Sequence, residues 1–282
     1  MRKILIPTDF SENAMNAIRY AVDLFKYEIC EFYFMNAYRD DIYAQTQDFT
    51  QDNIDRISAN ISKKSEELLG NIKSHFRNKL SNPKHTYFIK PSDNLLMDET
   101  NRIVDEENID LIVMGTKGKA NNKKITFGSN TLQVLKYVTC PVLAIPENYK
   151  YSSLKHILFP TDYMVPYKRR ELKLLCELAY PFNAIIDMLY ISKSNTMSLR
   201  QKDNKAFIEK EFCKNNINFK IENSNHITNS IFKAIKENKT DMLVMINTKH
   251  SFLENIVFQS TIDKLSLNLD IPFLALQNIT RA

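Results

Sequence analysis

The sequence predicts an α/β protein built from two tandem copies of one doubly wound domain, each with a five-stranded parallel sheet. Two observations support this prediction: short apolar segments occur twice along the chain, and helical patterns separate them. The repeated pairs are ILIPTDF at 4–10 and ILFPTDY at 157–163, DLIVM at 110–114 and DMLVM at 241–245, and CPVLAI at 140–145 and IPFLAL at 271–276. The first pair has an offset of 153 and the others 131, so the second copy is 22 residues shorter (153 minus 131).

Each repeated segment is short, rich in β-formers and continuously apolar, which is typical of parallel strands buried on both faces. The first copy is predicted to have strands at 2–8, 30–37, 84–90, 109–114 and 141–146, and helices at 11–27, about 50–80, 93–107 and 129–138. Ligands of such sheets bind beyond the carboxyl ends of the strands, where the strand order reverses. The rule indicates Asp9 and the loop that follows Met114.

Helix and domain boundaries also follow from the residues. Ser11 stands where an N-cap belongs, and Glu12 falls in the first turn of the helix. The long amphipathic helix near 50–80 accounts for the extra residues of the first copy. We therefore expect domains at 1–147 and 153–282.

Composition excludes several classes of protein. The chain has 282 residues, 44% of them hydrophobic and 25% charged, and its net charge of +5 is dispersed, so we expect no nucleic-acid partner. A short apolar start and the lack of any long apolar run predict a soluble cytoplasmic protein with no membrane segment. The cysteines are far apart in the sequence, so we expect them to be reduced thiols. The histidines are scattered and form no catalytic or metal-binding pattern. We therefore expect no metal site and no catalytic residues.

Glycine carries the sharpest signal, since the chain has four and three of them lie within fourteen residues. Gly115, Gly118 and Gly128 form the pattern G-x2-G-x9-G-S between a strand and a helix, which predicts positive φ or close backbone approach. Gly118 would let amide groups approach phosphates, and Ser129 would cap the helix and donate a hydroxyl. The lysines of this loop are candidate phosphate contacts; they are Lys117, Lys119, Lys123 and Lys124. The residues alone leave open that the glycines serve turns and packing only.

Taken together, the Pro-Thr-Asp-Phe-Ser strand end, the Val-Met-Gly strand end, the glycine loop and the Cys-Pro-Val-Leu strand resemble the universal stress protein family. The resemblance implies a Rossmann-like fold of the adenine nucleotide alpha hydrolase type that binds ATP, ADP or AMP, with Mg²⁺ as a further candidate. It implies that Asp9 and Ala37 contact the adenosine, that Met114 and Gly115 line the adenine and ribose pocket, and that Gly118, Gly128, Ser129 and Asn130 hold the phosphates. The adjoining Pro7, Thr8 and Thr116 complete the candidate site. Asn36 departs from the histidine that the family often has there.

The second copy lacks the glycines. At an offset of 131, the three positions hold Ile246, Lys249 and Gln259, while Ser260 is retained. Asp162 persists, but such an aspartate equally caps a turn. We therefore expect that the second copy binds no nucleotide. The sequence leaves open that it binds a different ligand. The resemblance also implies that strands 141–146 and 272–277 pair as an internal pseudo-dimer, and it leaves a further homodimer open.

Three functions follow from these features. A binding and signalling module of the stress response is the main hypothesis. A slow Mg²⁺-dependent ATPase, in which Asp9 would hold the ion, is the enzymatic alternative. The third is a nucleotide-independent scaffold for protein partners or an apolar ligand.

Overall fold

The computed structural model describes residues 1–46, 50–118, 127–193, 196–211, 216–248 and 269–278, and every structural statement below concerns these residues. They fall into two compact units. The first comprises Met1–Asn122 and Phe127–Asn148, and the second is formed chiefly by Tyr149–Ala282.

The first unit is a parallel sheet with helices between its strands. Its strands are β1 Arg2–Pro7, β2 Cys30–Ala37, β3 His85–Ser92, β4 Leu111–Gly115 and β5 Val142–Ile145. Its helices are α1 Glu12–Leu24, α2 Arg39–Gln45, α3 Gln51–Asn78, α4 Leu96–Glu106 and α5 Ser129–Tyr137. The strand order is β3-β2-β1-β4-β5, so the order reverses between β1 and β4.

The apolar strands form the core as predicted, since Ile4, Leu5 and Ile6 are fully buried. Helix α1 begins as predicted, because the side-chain oxygen of Ser11 accepts a hydrogen bond from the backbone N–H of Ala14 at 3.2 Å. Helix α2 was not predicted. It has only seven residues, no side-chain cap and one buried residue, Ile42, and therefore leaves no periodic signal in the sequence.

The second unit repeats this plan. Its strands are β6 His156–Thr161, β7 Ile185–Ser192, β8 Asn216–Asn223, β9 Met242–Asn247 and β10 Phe273–Gln277, in the order β8-β7-β6-β9-β10. Its helices are α6 Arg169–Ala179, α7 Leu199–Glu211 and α8 Ile227–Glu237, with a short 3-10 helix at Tyr180–Phe182. Helix α7 has 13 residues where α3 of the first unit has 28, in keeping with the predicted source of the length difference.

Strand pairing confirms the repeat residue by residue. Ile4 pairs with Leu111 in the first unit, and Ile157 pairs with Met242 in the second. These pairs reproduce the offsets of 153 and 131 found in the sequence. No described helix is both long and apolar enough to span a bilayer.

Candidate functional site

The residues predicted to bind a ligand meet where the strand order of the first unit reverses. Strand β1 ends at Pro7 and β4 at Gly115, and the two strands are hydrogen-bonded neighbours. The parallel direction brings both carboxyl ends to one edge of the sheet, which is where ligands of doubly wound sheets bind. Thr8 and Asp9 therefore lie beside the glycine loop.

The turn after β1 is held by its own side chains. The N–H of Phe10 donates to Oγ1 of Thr8 at 3.0 Å, and the N–H of Ser11 donates to Oδ1 of Asp9 at 3.0 Å. These bonds support a positive φ of 64° at Phe10, which is unusual for a residue with a side chain. The turn thus holds the carboxylate of Asp9 at the strand end.

At the end of β2, Asn36 ties three elements together. Its Nδ2 donates to the carbonyl oxygen of Thr8 at 2.8 Å, and its Oδ1 accepts from the hydroxyl of Ser65 in α3 at 2.9 Å. Asn36 is buried, whereas Ala37, the last residue of β2, is partly exposed. Asn36 therefore holds the end of β1 in place from within the protein interior. Ala37 is accessible to a ligand, whereas Asn36 is not.

At the end of β4, the backbone passes very close to helix α1. A Cβ on Gly115 would lie 2.8 Å from both Cγ and Nδ2 of Asn13. Nδ2 of Asn13 donates to the carbonyl oxygen of Lys117 at 2.8 Å. Met114 and Thr116, on either side of Gly115, are both buried. Only a residue without a side chain fits at 115 while Asn13 holds this position.

Gly118 lies directly against Asp9. A Cβ at Gly118 would come within 2.8 Å of Oδ2 of Asp9, although the two residues are far apart in sequence. The glycine allows the loop backbone to pass the carboxylate without a clash. The structure thereby brings together the two strand ends that the sequence indicated.

Gly128 differs from the other two glycines, because none of the described residues crowds it. Its N–H donates to the carbonyl oxygen of Thr116 at 2.8 Å, which joins the start of α5 to the end of β4. A Cβ here would make only ordinary contacts, at 3.6 Å to Cα of Lys117 and 3.8 Å to the backbone nitrogen of Gly118. The fold would accept a small side chain at this position, so packing alone does not require a glycine.

The structure decides between the two reasons predicted for the loop glycines, and it shows that the cap predicted for α5 is wrong. No described glycine has a positive φ, so Gly115 and Gly118 are needed for close approach and not for an unusual backbone conformation. The N-cap of α5 is Gly128, which has extended dihedral angles, and Ser129 is the first helical residue. Ser129 and Asn130 are exposed, and no side-chain hydrogen bond caps the start of α5. The candidate contacts Lys119, Lys123 and Lys124 lie outside the described residues.

The universal stress protein family model matches residues 1–146, which is just over half of the chain. The chain belongs to the universal stress protein family. A universal stress protein of Methanocaldococcus jannaschii is 29% identical over 153 residues, covering 51% of this chain and 94% of that protein. A second one from the same organism is 28% identical over 146 residues, covering 52% of this chain and 82% of that protein.

A solved universal stress protein from Archaeoglobus fulgidus resembles the whole chain. It has a TM-score of 0.66 and covers 98% of this chain and 96% of its own. At 18% sequence identity this likeness establishes the fold of both units and nothing finer. The two-domain α/β architecture predicted from the repeat is confirmed.

Two buried residues of this universal stress protein site were missed in the sequence. Asn13 holds the loop through Lys117, and Thr131 in α5 donates its hydroxyl to the carbonyl oxygen of Gly115 at 2.9 Å. Asn13 precedes Ala17 and Tyr20 by four and seven residues, so it lies on the buried face of α1. The sequence does contain a signal for Asn13, because a polar residue on the apolar face of a helix indicates a specific buried contact.

The second unit has isoleucine where the first has Gly115. Gly115 pairs with Ile145 in β5, and Ile246 pairs with Leu276 in β10, which places Ile246 at the equivalent position. Ile246 is 5% exposed, so its side chain fills space at the strand end. The other two replacements, Lys249 and Gln259, and the retained Ser260 lie outside the described residues.

Burial raises the pKa of Asp162 above its ordinary value, and the hydrogen bond from the N–H of Met164 offsets part of that rise. This carboxyl occupies the place of Asp9 in the second unit. Among the described residues, no three His, Cys, Asp or Glu side chains come together as a metal site would require.

Proposed function

We propose that the first unit binds ATP or a related adenine nucleotide at the ends of β1 and β4, and that the protein acts as a binding and signalling module of the stress response. The adenosine would lie against Pro7, Thr8, Asp9 and Ala37 and beside Met114 and Gly115. The phosphates would lie over Thr116, Gly118, Gly128, Ser129 and Asn130. The preference for adenine rests on the family resemblance, whereas the phosphate position rests on the geometry of the loop.

The main support for the proposal is Gly128, where the described residues leave room for a small side chain that the sequence does not supply. A side chain there would meet only ordinary contacts, yet the space borders the backbone nitrogen of Gly118. It also adjoins the first turn of α5, whose N–H groups have no acceptor within the helix. Amide donors and a helix N-terminus together favour an anion. The missing side chain is thus better explained by a bound phosphate than by packing.

The test is Gly128→Val, with Gly70→Val as its matched control. Gly70 lies in α3 with open space around its α-carbon, so the same substitution there leaves the site untouched. We expect Gly128→Val to lower ATP affinity by more than about 100-fold, because the new methyl groups occupy the phosphate position. Gly70→Val should bind ATP as the wild type does. Calorimetric titration of the full-length chain measures both.

Equal ATP affinity in Gly128→Val and wild type would overturn the proposal, provided that both variants unfold at the wild-type temperature. Gly118→Val is a less specific probe, since its side chain would also displace the carboxylate of Asp9. The cytoplasmic location and the internal pseudo-dimer stay predictions of the same account.

A further inference from the structure

Asn13 is the second residue of helix α1 and is only 4% exposed, yet its contacts lie in the glycine loop. Its Nδ2 donates to the carbonyl oxygen of Lys117 at 2.8 Å. Its amide group also lies against Gly115, close enough to exclude a side chain there. The side chain of Asn13, in α1, thus holds the first residues after β4 in place.

The hydrogen bond to Lys117 sets the direction of the next amide group. A trans peptide is planar, and its C=O and N–H point in opposite directions. Because the carbonyl of Lys117 points towards Asn13, the N–H of Gly118 points away from helix α1. In the described part of the chain, no acceptor takes up this N–H.

The outward N–H lies next to the space left by Gly128. The backbone nitrogen of Gly118 is 3.8 Å from where a Cβ of Gly128 would lie. An anion in that space would meet the N–H of Gly118 on one side and the first turn of α5 on the other. The direction of the Lys117–Gly118 peptide therefore decides whether this donor faces the anion.

Fold stability does not explain the amide of Asn13. Its Oδ1 is buried and has no hydrogen-bond partner among the described residues. A buried acceptor without a partner costs free energy, which offsets the gain from the bond made by Nδ2. A leucine of similar shape would serve the packing of α1 equally well, but it would leave the peptide of Gly118 unfixed.

We propose that Asn13 is a positioning residue for the phosphate-binding part of the site, acting by turning the N–H of Gly118 towards the anion. This inference rests on the proposed function. It assigns to Asn13 an effect chiefly on the phosphates, since its hydrogen bond reaches Lys117, the neighbour of Gly118, and not the end of β1.

The experiment compares Asn13→Leu with Asn16→Leu. Asn16 lies in the same helix, is partly buried, and donates through Nδ2 to a backbone carbonyl, that of Pro146, at 3.1 Å. The control thus loses the same kind of bond at a place away from Gly118. ATP binding is measured by calorimetry on the full-length chain, and adenosine binding by displacement of a fluorescent nucleotide.

We expect Asn13→Leu to lower ATP affinity by about 10- to 100-fold, the effect of one hydrogen bond to a charged group. Its adenosine affinity should stay within about twofold of wild type, because adenosine carries no phosphate. Asn16→Leu should leave both affinities unchanged. A general loosening of the fold would instead lower the affinity for both ligands.

The other outcomes are also decisive. Unchanged ATP affinity in Asn13→Leu would overturn the inference alone, and so would equal losses for ATP and adenosine. Wild-type protein that binds neither ligand would remove the proposed function and this inference with it.

Discussion

Each unit has the same kind of turn after its first strand, but the residues around the turn differ between the two units. After β1, the N–H of Phe10 donates to Thr8 at 3.0 Å, and φ of Phe10 is 64°. After β6, the N–H of Tyr163 donates to Thr161 at 2.9 Å, and φ of Tyr163 is 56°. The aspartate of each turn accepts the N–H two residues later, that of Ser11 in one and of Met164 in the other.

In the second unit, side chains cover this turn. The ring of Tyr163 stacks on Tyr190 with centroids 5.3 Å apart, and Tyr167 hydrogen-bonds the hydroxyl of Thr161. Helix α7 adds Gln201, which donates to the carbonyl of Asp162 at 2.8 Å, and Asn204, which donates to that of Tyr163 at 2.7 Å. Tyr163 is 1% exposed, whereas Phe10 is partly exposed.

The comparison shows that the Pro-Thr-Asp sequence specifies a turn and does not by itself specify a ligand site. Asp162 fulfils the turn role that the sequence left open for it. The capacity to bind a nucleotide depends on the neighbouring strand end, which carries Gly115 in β4 and Ile246 in β9. Exchanging these two residues probes the difference.

The largest effect on stability is expected for Ile246→Gly. The substitution removes a buried side chain from β9, the strand between β6 and β10, and adds backbone freedom, at a cost of about 3–5 kcal/mol. Urea denaturation measures this loss. If the second unit kept an open strand end like that of the first, the loss would stay below about 1 kcal/mol.

The reciprocal change, Gly115→Ala, should cost about 1–3 kcal/mol, because the new Cβ collides with the amide of Asn13. The double variant Asn13→Ala/Gly115→Ala serves as the control, since it removes the group that is struck. Most of the loss should disappear in this background. An equal loss in both backgrounds would place the strain somewhere other than at Asn13.

The smallest effect is expected for Asp162→Asn, which keeps the oxygen that accepts from Met164 but removes the charge. Because burial raises the pKa of Asp162, its folded carboxyl holds a proton more tightly than the unfolded one. That contribution to stability is present at low pH and is lost as the pH rises through the folded pKa. Relative to wild type, Asp162→Asn should therefore be more stable at pH 7 than at pH 3. Urea titrations at the two pH values check the sign, and a reversed order would contradict it.

Much of this fold could be predicted from the sequence because the repeat records strand positions directly. The offsets of 153 and 131 reappear in the pairing of Ile4 with Leu111 and of Ile157 with Met242. Helix α2 was missed because a seven-residue helix leaves too short a pattern.

The site was predicted less completely, since its geometry depends on contacts between distant parts of the chain. Gly115 was singled out, but the reason for it lies in Asn13, which is 102 residues away (115 minus 13) and meets it only through the packing of α1 on β4. Sequence cannot distinguish a glycine needed for space from one needed for positive φ. The positive φ values at Phe10 and Tyr163 left no compositional signal either, because side-chain hydrogen bonds support them.

If one of the two units binds an adenine nucleotide and the other does not, the full-length chain has a single ATP site, and calorimetry counts such sites. Calorimetric titration of nucleotide-free protein should give one site per chain, and Gly128→Val should give none. Two equivalent sites in the wild-type chain, or one site that persists in Gly128→Val, would contradict the account.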